Sequence, residues 1–202
     1  EEPLKEKELQ SFIPVFGRIT DNVSSKVRDQ YEESPYPRWK IMESHLRPMS
    51  IPEVIDRVKL KLHDYQINAV KNPEILIAGC GTGQHSIGTA ARFKSSKVLA
   101  IDLSLSSLAY AKRKTDELGV DNIEYMQADI LDLAKLNKQF DIIESAGVLH
   151  HMDDPLNGWR SLTDCLKSGG LMKIGLYSAL ARQHIVEVQK EISQLGLGSS
   201  SD

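Results

Sequence analysis

Glu74-Ile75-Leu76-Ile77-Ala78, followed at once by Gly79-Cys80-Gly81-Thr82-Gly83, is the stretch that decides the fold. Five residues of mostly branched apolar side chains, bounded by glycines, read as a strand buried on both faces. The glycines open a tight turn in which positive φ is allowed and the backbone can approach a ligand without a Cβ in the way. A helix over His85–Phe93 is expected next, and its free N–H groups suit an anionic group.

Outward from this point the chain alternates. Lys97–Ile101 reads as a second strand ending at Asp102, and Ser104–Leu118 as a helix closed by Gly119. Ile123–Gln127 and Phe140–Ser145 read as further strands, Pro155–Leu166 as a helix, Ser168-Gly169-Gly170 as a turn, and Leu171–Tyr177 as a fifth strand. Ala179–Leu195 reads as a closing helix. Strands alternating with helices of about a dozen residues imply right-handed βαβ units and a parallel sheet covered on both faces. Before this region, Pro3, Pro14, Pro35, Pro37 and Pro48 argue against long helices in residues 1–50. A short helix through Asp21–Tyr31 with Thr20 or Asp21 as cap, an irregular Tyr31–Trp39 segment and a helix within 52–70 complete the expectation. The organisation is therefore an irregular or helical N-terminal cap over 1–50, an α/β domain over 51–195 and a flexible tail over 196–202.

The 202 residues suffice for one continuous core, and 41% hydrophobic with 26% charged residues is an ordinary globular balance. A net charge of −3 with dispersed basic residues gives no strong nucleic-acid signal, and no apolar run approaches a membrane span. Two cysteines, Cys80 and Cys165, make no disulfide framework and no zinc spacing, which fits a reducing, cytoplasmic compartment. The start without Met reads as a cut from a longer chain.

Open α/β sheets bind ligands at the carboxyl ends of their strands. Asp102 stands there, 19 residues beyond Gly83, close to the spacing for a carboxylate that accepts from ribose hydroxyls, or else serves as a helix cap. Asp129, after the third strand, is placed to accept from an adenine amine, or is a solvated turn residue. A dinucleotide turn, G-x-G-x-x-G, would need glycine at position 84, where Gln84 stands; the turn here is G-x-G-x-G.

On the motifs Ile75–Gly83, Ala100–Ser104, Ala128-Asp129-Ile130, Phe140–Ile143 with Val148–Met152, and Leu166–Leu171, the stretch from about 74 to 178 resembles the class I S-adenosylmethionine-dependent methyltransferases. Tyr31–Trp39 and Gly175–Ser178 look like methyltransferase domains fused to tetratricopeptide repeats in bacteria. The resemblance implies a Rossmann-like, doubly wound parallel sheet of about five strands, the family's final antiparallel strands missing, and an exposed edge that a dimer could cover. It implies S-adenosyl-L-methionine as cofactor, S-adenosyl-L-homocysteine as product, and a methyl acceptor, small molecule or protein, that it does not name. The cofactor-binding set would be Gly79, Cys80, Gly81, Thr82, Gly83, Asp102, Leu103, Asp129, Ile130 and Ser145. His150 and His151 border the transfer site as a candidate general base or pocket wall; the alternative is local packing, with Asp153-Asp154-Pro155 opening a helix. No metal is implied.

Ile77 departs from the family, which usually carries an acid two residues before the first glycine to engage the ligand's amino group. Glu144 either joins the site or faces the other side of the sheet; Tyr31, Tyr36 and Trp39 either fold over the pocket or bury against the sheet. Lys112-Arg113-Lys114 reads as a solvated helix face. An NAD-using oxidoreductase, or a truncated cofactor-binding module without turnover, are the other functions that the sequence leaves open.

Overall fold

The computed structural model describes residues 2–42, 47–178, 180–181 and 183–194. Its six strands are β1 (Val15–Phe16), β2 (Glu74–Ala78), β3 (Lys97–Asp102), β4 (Ile123–Ala128), β5 (Phe140–Ala146) and β6 (Leu166–Gly175). They form one sheet in the order β1-β4-β3-β2-β5-β6, with every neighbouring pair parallel. The helices are α1 (Glu2–Gln10), α2 (Asn22–Glu33), α3 (Ile51–Val58), α4 (Gln84–Arg92), α5 (Leu105–Glu117), α6 (Pro155–Asp164) and α7 (Gln183–Gln194).

Alternation along β2 divides the core. Ile75 and Ile77 point into one cluster with Ile87 of α4 and Leu108 of α5, and Leu76 and Ala78 into the other with Leu162 of α6. Helices thus cover both faces, which is why β2 is apolar at successive positions. The chain winds outward from β2 through β3 to β4, then returns to the other side of β2 for β5 and β6. The order reverses between β2 and β5, and the crevice of such a fold opens there.

One expectation is extended and two are corrected. The expected sheet of about five strands has a sixth, because Val15–Phe16 pairs with Gln127–Ala128 at the β4 edge. Two residues are too short to show any period in the sequence. Ser168-Gly169-Gly170 does not precede the last strand but lies within β6. Pairing passes from Phe140 opposite Leu166 to Ile142 opposite Leu171, so the turn survives as an irregularity in the ladder, with Gly169 at φ +75°. The helix expected within 52–70 is the shorter α3, stopped by Lys59 in the left-handed region at φ 54°.

Arg113 is no part of a solvated face. It is 2% exposed beneath α1, donating from Nε to Glu6 Oε1 at 3.0 Å and pairing with Glu117. Helix α1 carries little apolar periodicity, so neither it nor the burial of Arg113 was written in the hydrophobic pattern. After β6 the described residues hold α7 and no further strand. The ends of the expected helix at Ala179 and Leu195, and the tail 196–202, lie outside the described residues.

Candidate functional site

At the carboxyl ends of β2, β3, β4, β5 and β6 lies a cleft of about 470 Å³. Its floor is the glycine turn. Gly79, Gly81 and Gly83 have φ of +73°, +52° and +88°. A Cβ on Gly79 would overlap the Val148 side chain, and one on Gly83 would overlap Ala111 of α5, so both serve close packing. Gly81 differs: the nearest atom to its missing Cβ is the Tyr36 carbonyl oxygen at 3.8 Å, and the vacant side belongs to the cleft. Gly83 caps α4 without a side-chain acceptor, leaving the first-turn N–H groups of that helix to other partners.

Asp102 ties this turn to the next loop. Its Oδ2 accepts from Gly81 N at 2.7 Å and its Oδ1 from Ser104 N at 3.0 Å. Ser104 itself is the α5 cap, accepting from Ser107 N, so Asp102 is not the cap of that helix. Burial pushes the Asp102 carboxyl above its ordinary value, and the Ser104 and Gly81 N–H groups offset only part of that. A carboxylate so placed gains from any further hydroxyl donor.

Leu103, Asp129 and Ile130 line the cleft beyond Asp102, on the β4 side. Asp129 is buried and accepts from Leu131 N through Oδ1, so it also starts the 3-10 turn over Ile130–Leu136. Thr82 is 2% exposed and locks the turn to the N-terminal segment. Its Oγ1 donates to Pro37 O at 2.6 Å, while Trp39 Nε1 donates to Thr82 O at 2.9 Å. Glu32 of α2 accepts from Leu105 N, Ser106 N and Ser106 Oγ at the start of α5. Tyr31 and Tyr36 therefore stand in the cleft wall, whereas Trp39 packs edge-on against Tyr110, buried beneath the turn. Cys80 lines the cleft; burial, together with the Asp102 charge, pushes its thiol well up.

At the β5 and β6 end, Glu144 is the register partner of Ile77 and faces α4. It is 3% exposed and accepts from Thr89 Oγ1 at 3.0 Å; His85 Nε2 lies 2.5 Å away, Lys173 Nζ 3.7 Å and an Arg92 nitrogen 3.8 Å. Burial alone would raise this carboxyl. The His85 hydrogen bond and the charges of His85, Lys173 and Arg92 outweigh it and hold it down to about 2. His85 and Lys173 line the cleft, while Glu144 does not.

Two expected positions are corrected. Ser145 is buried and does not line the cleft; its neighbour Ala146 does, because alternate strand residues point to opposite faces. His150 is also absent from the cleft wall and stacks on Tyr177, ring centroids 3.9 Å apart. His151 does line the cleft. Asp154 accepts from Leu156 N and Asn157 N and starts α6, as its position before Pro155 implies. The sequence reading missed His85 and Lys173. A helix's first turn returns toward the loop that precedes it, so His85, two residues after Gly83, was the legible one.

Residues 75–170 match the family described as "Methyltransferase domain". An uncharacterized protein of Synechococcus sp. is 39% identical over 61% of this chain and 30% of its own length. The ubiquinone biosynthesis O-methyltransferase of Acinetobacter baumannii is 27% identical over 66% of this chain and 54% of its own. That of Pseudomonas fluorescens is 31% identical over 66% and 55%. The chain thus spans about a third to a half of the curated relatives it matches. The fold is shared with PKMT2 of Rickettsia typhi, solved in complex with AdoHcy (TM-score 0.53, 24% identity, 68% of this chain and 26% of that one). It is shared equally with the [4+2]-cyclase SpnF (TM-score 0.53, 20% identity, 80% and 61%). Residues 75–170 are thus similar to methyltransferase domains, and they sit in an α/β fold with all six strands parallel.

Proposed function

We propose that this chain transfers a methyl group from S-adenosyl-L-methionine to an acceptor nucleophile, leaving S-adenosyl-L-homocysteine. The observation that carries this is the pairing of Gly81 with Asp102: a backbone open to the cleft and a buried carboxylate, joined by a 2.7 Å bond on the floor of the cleft. The 470 Å³ volume accommodates a nucleoside with an amino-acid arm. Gly79, Cys80, Gly81, Thr82 and Gly83 would hold the methionine moiety, Asp102 and Leu103 the ribose, and Asp129 with Ile130 the adenine. When bound, the cofactor supplies an electrophilic methyl group on a sulfonium. The protein then has to align the acceptor and exclude water. Tyr31, Tyr36 and Tyr177 in the cleft wall serve that exclusion.

The O-methyltransferase relatives support methyl transfer rather than NAD chemistry, and Gln84 argues against a dinucleotide turn. The SpnF fold is a reminder that architecture alone does not choose the reaction. The finer likeness, to methyltransferase domains fused to tetratricopeptide repeats, rests on Tyr31–Trp39 and Gly175–Ser178; Pro37 and Trp39 of the first segment clamp the glycine turn. A cytoplasmic setting and a dimer across the β6 edge remain parts of the proposal. Among the described residues no helix is long and apolar enough to cross a membrane. Isothermal titration with S-adenosylhomocysteine and with NAD tests the assignment. Micromolar binding of the former is expected; binding of NAD without response to S-adenosylhomocysteine would sink it.

A further inference from the structure

The two ends of the cleft differ in what their carboxylates do. Asp102 and Asp129 line it directly, at the β3 and β4 end. Across the sheet, Glu144 is withheld from the cleft, and His85 stands between it and the open space. A buried carboxylate bonded to one nitrogen of an imidazole fixes the ring and stabilises its protonated form, the arrangement that makes a histidine a base. In the neutral ring, an Nε2–H given to Glu144 leaves Nδ1 with a lone pair for a proton.

We propose that His85 takes the proton from a phenolic hydroxyl acceptor bound at the β5 and β6 end of the cleft, with Glu144 as its positioning residue. This rests on the methyltransferase reading. The O–H bond of the acceptor breaks with its electron pair left on oxygen, and the proton passes to His85, whose new charge Glu144 balances. The oxygen bonds to the methyl carbon as the carbon–sulfur bond breaks with its pair on sulfur. Lys173, 56% exposed in the same wall and 3.7 Å from Glu144, stabilises the phenolate while it exists.

The choice of a phenol follows from matching. An imidazole base is efficient toward acids whose pKa lies within a few units of its own; aliphatic alcohols lie too far away, and carboxylates or free amines need no base. Tyr36, Tyr177, Val148 and Met152 give the cleft flat and adaptable apolar walls that suit an aromatic ring. The expected base at His150 is displaced by its stacking on Tyr177, and His151 has no buried carboxylate among its described contacts.

The test uses the full chain saturated with S-adenosylhomocysteine and 4-nitrocatechol as probe, whose ionised form absorbs at longer wavelength than its neutral form. No turnover is needed. Below the probe's own pKa, the bound probe should show the phenolate spectrum in the wild type. In His85→Gln that ionised fraction should fall about tenfold, with Glu144→Gln intermediate. The affinity for S-adenosylhomocysteine should stay within about threefold in both. With S-adenosylmethionine present, kcat for the probe should fall about 100-fold in His85→Gln with KM little changed, and added imidazole should restore part of it. The charged and titratable groups around the His85–Glu144 pair are Arg92 and Lys173, with His151 and Tyr177 in the cleft beyond.

An equally ionised probe in His85→Gln overturns the proposal. So does a wild type that binds S-adenosylhomocysteine yet neither binds nor methylates 4-nitrocatechol or catechol. Should His85→Gln and His85→Asn both fail to fold, the wild-type spectrum still decides: a probe bound in its neutral form overturns it. A protein that binds no S-adenosylhomocysteine fails at the earlier step, the methyltransferase reading itself.

Discussion

The β3 and β4 end of the cleft and the β5 and β6 end each hold a carboxylate at the close of a strand, and the two are used in opposite ways. Asp102 is bonded only to backbone N–H groups and is held above its ordinary pKa, so its ionised form is poorly satisfied in the absence of a ligand. Glu144 is surrounded by His85, Thr89, Arg92 and Lys173 and is held down to about 2. The first keeps unspent capacity for a ligand at a cost to stability; the second has been satisfied by the protein itself.

The largest expected effect separates them by pH. A carboxyl whose folded pKa lies below its unfolded value contributes stability above the unfolded value and loses it as pH falls through the folded one. For Glu144 that window runs from the ordinary 4.5 down to about 2, and the full contribution is about 3 kcal/mol. Asp102 has the opposite sign: its shift favours the fold at low pH and weakens it as pH rises. Glu144→Ala, which strands four cationic or donor groups, should cost about 3 kcal/mol at pH 7. Urea unfolding at pH 7, 4 and 3 checks this, and the deficit of the variant should shrink toward pH 3. A deficit independent of pH would mean that Glu144 acts by packing rather than charge.

Asp102→Asn breaks the comparison at the other end. Stability of the ligand-free protein should change by less than about 1 kcal/mol, because the amide removes a poorly solvated charge while losing one acceptor. Affinity for S-adenosylhomocysteine should fall about 30-fold, roughly 2 kcal/mol. Glu144→Gln should do the reverse, losing stability and holding its affinity. Calorimetric titration alongside urea unfolding resolves the crossed pattern, and parallel losses in both variants would erase the distinction between the two ends.

The same division explains what the sequence made legible. The β3 and β4 end is built from residues adjacent to short apolar strands, so Gly79–Gly83, Asp102 and Asp129 could be found from strand ends and spacing alone. The β5 and β6 end joins His85, Glu144 and Lys173, 59 residues apart for the first pair, through strand pairing that no local period encodes. Ile77 reads as a missing acid because one strand is considered at a time. Once β2 and β5 pair, Glu144 is opposite Ile77, though turned toward α4 and sealed by His85. The two-residue β1 and the charge-paired α1 escaped for a related reason, since neither carries a hydrophobic period.

The smallest effect concerns the clamp beneath the glycine turn, which belongs to the β3 and β4 end. Trp39 Nε1 donates to Thr82 O, and Tyr110 Oη donates to the Trp39 backbone O, so Trp39 links the N-terminal segment, the glycine turn and α5. Trp39→Phe keeps most of the buried ring but leaves the Thr82 carbonyl without that donor, which should cost about 1.5 kcal/mol. The loss should be felt at one end only. If this clamp merely stabilises the fold, S-adenosylhomocysteine affinity in Trp39→Phe will match the wild type once the protein is fully folded. If, as the clamp on Thr82 implies, it also fixes the turn that Gly81 and Asp102 share, affinity will drop several-fold, while ionisation of 4-nitrocatechol beside His85 stays at its wild-type value.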